Sequence, residues 1–135
     1  MSIELKNSVS WTPVIKGSVN AGTFTYYIVR GQYVSIGRLK YYFIHLVVNS
    51  ISGNPSGNLQ ITGSPFLPLY DTPLTLGITS YFTADMSQRY IVPIIFSNGV
   101  IELLSCGTNT ESAVTINKIT NSSTIQISGS FISNV

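Results

Sequence analysis

The sequence predicts an all-β protein, folded as an antiparallel β-sandwich with no substantial helix. Alternating apolar and polar residues and short apolar runs recur between turn-forming residues, and no window repeats with a helical period. Only 9% of the residues are charged while 44% are hydrophobic, so Ser, Thr, Asn and Gln must supply the polar surface. A chain of 135 residues has the size of one domain. We therefore expect residues 1–135 to form a single β-sandwich domain, with residues 1–10 as a flexible or extended lead-in.

Turn signals divide the chain into short strands. The predicted strands are residues 23–29, 33–36, 38–49, 58–62, 74–82, 90–96, 100–105, 113–118 and 124–132. If one or two of them are ladder ends or parts of a bent pair, about eight strands remain, as in a jelly roll. Asn98-Gly99 predicts a hairpin with a two-residue type I′ turn, because that turn requires positive φ at both positions. The predicted fold is a jelly-roll-like sandwich.

The strand from Leu39 to Val48 is apolar on both of its alternating faces. A two-layer sandwich buries only one face of each strand, so the second face needs cover from a loop or from another subunit. We interpret one face as the oligomer interface, and it contains Tyr42, Ile44, Leu46 and Val48. The alternation itself leaves open which face is core and which is interface.

Charge and cysteine content exclude several classes of protein. A net charge of +2, spread without basic runs, is not the pattern of a nucleic-acid binder. The N-terminus lacks the basic start and apolar run of a signal peptide, and no segment has the length of an apolar membrane span. Cys106 is the single cysteine, and we interpret it as a small apolar residue near a strand end.

The residues available for catalysis or metal binding are few. Five carboxylates, one His and one Cys show no paired spacing, so no enzyme, no metal site within one chain and no cofactor is expected. An ion on a trimer axis stays open, because a single His, Asp or Gln contributes three ligands there. Glycosidase chemistry needs two carboxyl groups in one cleft, and Asp71 and Asp85 are the only loop pair available. We interpret both Asp71 and Asp85 as ordinary polar residues of turns and loops and not as a catalytic pair. His45 lies in the most apolar strand, where a hydrogen-bonded buried or interface imidazole is the better interpretation.

Aromatic and planar polar residues suited to sugar binding cluster in one segment near the middle of the chain. Aromatic faces cover the apolar side of a pyranose, while Asp, Asn, Gln and Arg side chains bind its hydroxyls. The candidate glycan-binding residues are Tyr81, Asp85, Gln88, Arg89 and Tyr90, followed by the weaker candidates Asn54 and Asn58. An ordinary hairpin loop has a similar composition, so the segment by itself suggests only a sugar contact.

Three motifs in the first half of the chain resemble those of a known family. They are Trp11-Thr12-Pro13, the run from Gly31 to Gly37 with Tyr33 between, and Ser56-Gly57-Asn58-Leu59-Gln60-Ile61-Thr62-Gly63-Ser64-Pro65-Phe66. Together they are similar to the W-x-P, G-x-Y-x-x-x-G and S-G-x-L-x-I-x-G-L-P-F motifs of the small trimeric β-jelly-rolls at the receptor-binding ends of bacteriophage tail fibres and related virion fibres. Ser64 stands where that family usually has Leu. The resemblance also implies that Trp11 packs structurally.

The resemblance implies a non-enzymatic receptor-binding or tip module of a phage-like virion. It implies a homotrimer of the virion that recognises host cell-surface carbohydrate and contacts other virion structural proteins. The lack of a signal-peptide pattern predicts that the chain is made in the host cytoplasm. An alternative is a purely structural virion cap, trimerisation or decoration protein without a ligand. A depolymerase or esterase acting on surface polysaccharide is a further alternative, and the catalytic inventory argues against it.

Overall fold

The computed structural model describes residues 8–80, 90–107 and 110–135. These residues form two antiparallel sheets that enclose one apolar core, as the alternation predicts. The strands are β1 (Val9–Trp11), β2 (Val14–Gly17), β3 (Thr23–Ile36), β4 (Leu39–Ser52), β5 (Leu59–Thr62), β6 (Thr72–Pro73), β7 (Thr75–Ser80), β8 (Tyr90–Ile95), β9 (Ile101–Gly107), β10 (Thr110–Ala113) and β11 (Thr124–Ile132). A 3-10 helix spans Ile116–Lys118.

The chain passes repeatedly between the two sheets. The first sheet has the order β1-β3-β4-β11-β7, and the second has the order β2-β5-β9-β8-β6, with β10 paired to β9. Strands that are distant in sequence therefore lie side by side, as β4 and β11 do along nine residue pairs. The all-β antiparallel sandwich is confirmed, and the finer assignment to the jelly roll stays a prediction.

A long hairpin of β3 and β4 forms the largest part of the first sheet. It turns at Gly37, whose φ of 58° suits the first position of a tight two-residue turn. The predicted break between residues 29 and 33 is wrong, because β3 continues through Gly31 to Ile36. Irregular pairing occurs earlier instead, where the register shifts on both sides of Tyr26.

Tyr42, Ile44, Leu46 and Val48 lie in the core. Each of the four side chains is 0% exposed within a single chain. They share this core with buried residues of the opposite sheet, including Leu59, Ile95 and Leu103. A side chain buried inside its own subunit cannot face another subunit, so the interpretation of these four residues as the oligomer interface is wrong.

Two glycines hold the Trp11-Thr12-Pro13 segment against the sandwich. A Cβ on Gly31 would lie 2.6 Å from the Trp11 carbonyl oxygen, and one on Gly63 would lie 2.5 Å from the Thr12 carbonyl oxygen. Only glycine allows the backbone to approach this closely. The indole of Trp11 then lies 5.1 Å from the ring of Tyr42, measured between centroids. The structural role predicted for Trp11 is confirmed.

Two local predictions fail at turns. The Asn98-Gly99 hairpin does join β8 to β9, but its loop has three residues, with positive φ at Gly99 and not at Asn98. This geometry is a type I turn followed by a left-handed glycine, in place of the type I′ turn. The predicted strand 113–118 is also wrong, since β10 ends at Ala113 and a 3-10 helix follows. At the N-terminus, β1 pairs with β3, so residues 9 and 10 belong to the sheet.

Candidate functional site

The sequence-predicted glycan residues fall into two groups. Tyr81, Asp85, Gln88 and Arg89 lie in residues 81–89, outside the described residues. Tyr90 is the first residue of β8, and its side chain is 72% exposed. An exposed aromatic side chain at a strand end is available to a ligand, and it lies directly after the segment that contains the other four candidates.

Asn54 and Asn58 belong to a loop that hydrogen bonds hold in one conformation. The Asn20 Nδ2 group donates to the carbonyl oxygens of Gly53 and Asn54 at 3.0 and 2.9 Å. The backbones of Asn20 and Ser56 exchange hydrogen bonds in both directions, and the Asn58 N–H donates to Ser18 Oγ at 2.8 Å. Asn54 has a positive φ of 50°, a conformation that Asn tolerates better than most residues. This loop, residues 53–58, is called the asparagine loop below.

The asparagine loop forms one wall of a polar pocket. The pocket has a volume of about 370 Å³ and is lined by Pro55, Ser56, Gly57, Asn58, Thr115, Ile116 and Asn117. The two walls are joined by backbone hydrogen bonds, from Ile116 N–H to the Gly57 carbonyl and from Leu59 N–H to the Val114 carbonyl, each 2.9 Å long. Asn58 therefore lies at a site that it shares with the 3-10 helix, whereas Asn54 is not part of the lining.

Side-chain amides line this pocket in fixed orientations. Asn58 Nδ2 donates to the carboxylate oxygen Oε1 of Glu102 at 3.2 Å. On the opposite wall the hydroxyl of Thr115 donates to Oδ1 of Asn117. Each contact uses one end of an amide and leaves the other end for a ligand. Both walls thus present uncharged hydrogen-bonding groups.

Thr115 and Asn117 were missed by the sequence reasoning. They lie within the wrongly predicted strand 113–118, where they read as ordinary polar positions. Their spacing is the signal that could have found them. Short polar side chains two residues apart favour a local turn over a strand. Their meeting with Asn58 depends on tertiary pairing, which the sequence does not display.

A second surface of interest is the outward face of the first sheet. Directly opposed residues on paired strands share a face. The polar residues Gln32, Ser128 and Ser130 lie on this face opposite Phe43 and Tyr41. Its apolar residues are Val34, Ile36, Leu39, Tyr41, Phe43 and Ile132. These six residues are called the outer apolar face. Tyr41 is 50% and Phe43 39% exposed, and a groove of about 390 Å³ runs along both rings. The strand is therefore apolar on both faces, as predicted, and the exposed face is the one opposite to Tyr42.

Tyr42 and Lys40 place polar groups inside the sandwich, and each of the two has partners there. The Tyr42 hydroxyl lies 2.7 Å from Ser64 Oγ and accepts from the Phe66 N–H at 3.3 Å. Burial raises the pKa of Tyr42 above its ordinary value, and the hydrogen bonds with Ser64 and Phe66 oppose this rise. Buried Lys40 donates to Ser35 Oγ and the Gly37 carbonyl, and its Nζ lies 4.2 Å from the Phe66 ring centroid. These contacts have structural roles.

Of the candidate catalytic groups, Asp71 and His45 lie in the described residues, and each has contacts of an ordinary structural kind. Asp71 Oδ1 accepts the Ser97 N–H at 2.8 Å, which is a turn contact, and Asp85 lies outside the described residues. His45 is half-buried and opposes Arg30 and Gln126 in the first sheet. Among the described residues, no group of three or more His, Cys, Asp or Glu side chains has the geometry of a metal site. The described part of the chain also contains no helix long and apolar enough to span a membrane.

Comparison with known proteins identifies a shared fold. No protein-family model matches the chain, and no curated protein matches it in sequence. Among solved structures, the crystal structure of Dettilon tailspike protein (gp208) matches with a TM-score of 0.77 at 18% sequence identity. The match covers 94% of this chain and 24% of that chain. The chain therefore has the fold of one part of a phage tailspike and spans about a quarter of its length.

Proposed function

We propose that this chain is a non-enzymatic receptor-binding or tip module of a phage-like virion that recognises host cell-surface glycan as a homotrimer. The observation that carries the proposal is the outer apolar face, which is exposed on a fold shared with part of a tailspike. In the virion the module contacts other structural proteins. The likeness in fold to part of a tailspike and the motifs around Trp11, Gly31 and Gly63 support a place in the virion.

The outer apolar face supports self-association. Soluble monomers rarely expose a contiguous apolar patch of this kind, because burying apolar surface lowers the free energy by about 25 cal/mol per Å². Subunit interfaces of permanent oligomers are apolar, with aromatic residues enriched at their centre. Tyr41 and Phe43 lie beside each other along β4 in this patch, and Val34 opposes Tyr41 from β3. The proposed number of subunits, three, comes from the resemblance to trimeric fibre domains.

Neutral polar and aromatic surface supports glycan recognition. The polar pocket offers amide and hydroxyl groups at fixed positions, and exposed Tyr90 lies next to the segment that carries the other candidate residues, Tyr81, Asp85, Gln88 and Arg89. Pyranose rings are bound by this combination of groups. The five carboxylates of the chain show no paired spacing, which supports a binding role over hydrolysis.

The proposal is tested by binding of the labelled chain to host cells, with soluble host polysaccharide as competitor. We expect saturable binding that the polysaccharide abolishes, and polysaccharide of unchanged length after prolonged incubation. Release of shorter fragments would overturn the non-enzymatic part. An oligomer that binds neither cells nor a glycan array would overturn receptor binding and favour the purely structural cap.

A further inference from the structure

We infer that the polar pocket between the asparagine loop and the 3-10 helix is a subsite for a neutral, hydroxyl-rich ring such as a hexopyranose. The inference deepens the proposed function, because it assigns one ligand class to a particular place. The pocket brings Asn58, a sequence-predicted glycan residue, together with Ser56, Thr115 and Asn117.

Each wall of the pocket contains a side-chain amide with one hydrogen-bonding group left over. Asn58 uses its Nδ2 on Glu102, so its Oδ1 is directed to accept a hydrogen bond. Asn117 uses its Oδ1 on the Thr115 hydroxyl, so its Nδ2 is directed to donate one. A sugar hydroxyl both donates and accepts, so a ring with adjacent hydroxyls satisfies both walls at once. The pocket volume of about 370 Å³ lies within the range of small-ligand sites.

Hydrogen bonds within the chain hold both walls of the pocket in place. Asn20 anchors the asparagine loop from one side, and the Ile116 N–H bond to Gly57 closes it against the helix. A Cβ on Gly57 would lie 2.8 Å from the Val19 backbone nitrogen, so the loop also packs closely on the chain before β3. A fixed loop loses little conformational freedom when a ligand binds, which favours weak but specific contacts.

Charge at the pocket favours a neutral sugar over an acidic one. The Glu102 carboxylate accepts a hydrogen bond from the lining residue Asn58 but does not itself line the pocket. The nearest basic residue along the sheet register is Lys16, which is separated from Glu102 by Gln60. Lys118 follows Asn117 but is not part of the lining. A uronic acid carboxylate would therefore be repelled by Glu102.

The inference is tested by amide NMR titration of the full chain. The probes are the methyl glycosides of glucose, galactose, mannose and N-acetylglucosamine, with glucuronic acid as the charged comparator. We expect at least one neutral glycoside to shift the amide signals of Gly57, Asn58 and Asn117, and glucuronic acid to leave them unmoved. Because single sugars make few contacts, the expected Kd is on the order of millimolar.

Three variants locate the site. Asn117→Asp keeps the acceptor for Thr115 but removes the donor, and we expect it to weaken binding about tenfold, while Ser56→Ala weakens it about threefold. Asn134→Ala is the matched control, an exposed Asn whose backbone pairs with Leu67, and it should bind as the parent chain does. Unchanged thermal midpoints show that the variants fold.

The outcomes separate this inference from the proposed function. Shifts confined to Tyr90 and its neighbours, with full binding by Asn117→Asp, would overturn the pocket while leaving glycan recognition intact. Stronger binding of glucuronic acid at the pocket would overturn the neutral class. No shift with any probe would also overturn the inference, and receptor binding would then depend on the cell assay.

Discussion

The two faces of β4 have similar residues and opposite surroundings. Tyr42 and Ile44 are fully buried between the sheets, whereas their neighbours Tyr41 and Phe43 point away from the core and remain about half exposed. The inner face is covered by the second sheet, and nothing within the described part of the chain covers the outer face. The difference shows that an apolar strand face is core only where a second sheet covers it, and the uncovered face is the one proposed as the interface.

Replacing Ile44 with Asp should have the largest effect. An unpaired carboxylate at a position that is 0% exposed would lower the free energy of unfolding by about 4 kcal/mol or more. Denaturant unfolding measures this loss, and Phe43→Asp on the opposite face is the matched control. Equal stability of the two variants would show that the faces are not distinct.

Substitution at the glycines beneath Trp11-Thr12-Pro13 should have the next largest effect. Gly31→Ala places a Cβ 2.6 Å from a backbone oxygen, and Gly63→Ala adds a positive φ of 100° to a similar clash. We expect each to lower the free energy of unfolding by about 2 to 3 kcal/mol. Gly77→Ala is the control, since its nearest neighbours lie at 3.7 Å or more. Thermal midpoints that fall equally in all three variants would contradict this account.

Removal of the Tyr42 hydroxyl should have a smaller effect. Tyr42→Phe loses the contacts with Ser64 and Phe66, at a cost of about 1 kcal/mol. The Ser64 hydroxyl keeps its bond to the Phe66 carbonyl, so the 64–66 loop should stay in place. A crystal structure of the variant with a displaced loop would contradict the second expectation.

Alkaline pH should weaken the inner face. Burial raises the pKa of both Tyr26 and Tyr42 in the folded chain above the value of about 10 that they have when unfolded. The unfolded chain then loses these protons first, so stability is complete below about pH 10 and falls as the pH rises through the folded pKa values. Unfolding curves at several alkaline pH values measure the slope. A slope that does not decrease in Tyr42→Phe would remove Tyr42 as a cause.

The sequence predicts the strands better than it predicts their partners. Residues 124–132 are a strand as expected, with Ile125 and Ile127 inward and Gln126 and Ser128 outward. In β4 the same alternation cannot be read, because Tyr and apolar residues occupy both faces. Its orientation follows from the register that pairs Ile127 with Ile44 and Ser128 with Phe43. That register depends on a long-range pairing, which a single sequence does not specify.

The candidate sites were predictable only in part. Asn58 was found because Asn is typical of loops and of sugar contacts, but its partners Thr115 and Asn117 come from a segment more than fifty residues later. The sequence predicts that β4 has an uncovered apolar face, but the interpretation placed that face on the side of Tyr42, which is buried. The exposed side is that of Tyr41 and Phe43. In both cases residue chemistry was informative, and the missing information was which distant segments pack together.

The mass of the chain in solution tests the central claim most directly. Light scattering coupled to gel filtration, at micromolar concentration, should give three times the 14.7 kDa of one chain for the parent protein. Phe43→Asp should give a folded monomer of nearly unchanged subunit stability, because its side chain is 39% exposed within the subunit and is proposed to be buried only between subunits. A parent mass near 14.7 kDa, or a Phe43→Asp variant that remains a trimer, would contradict the assignment of the outer apolar face as the interface.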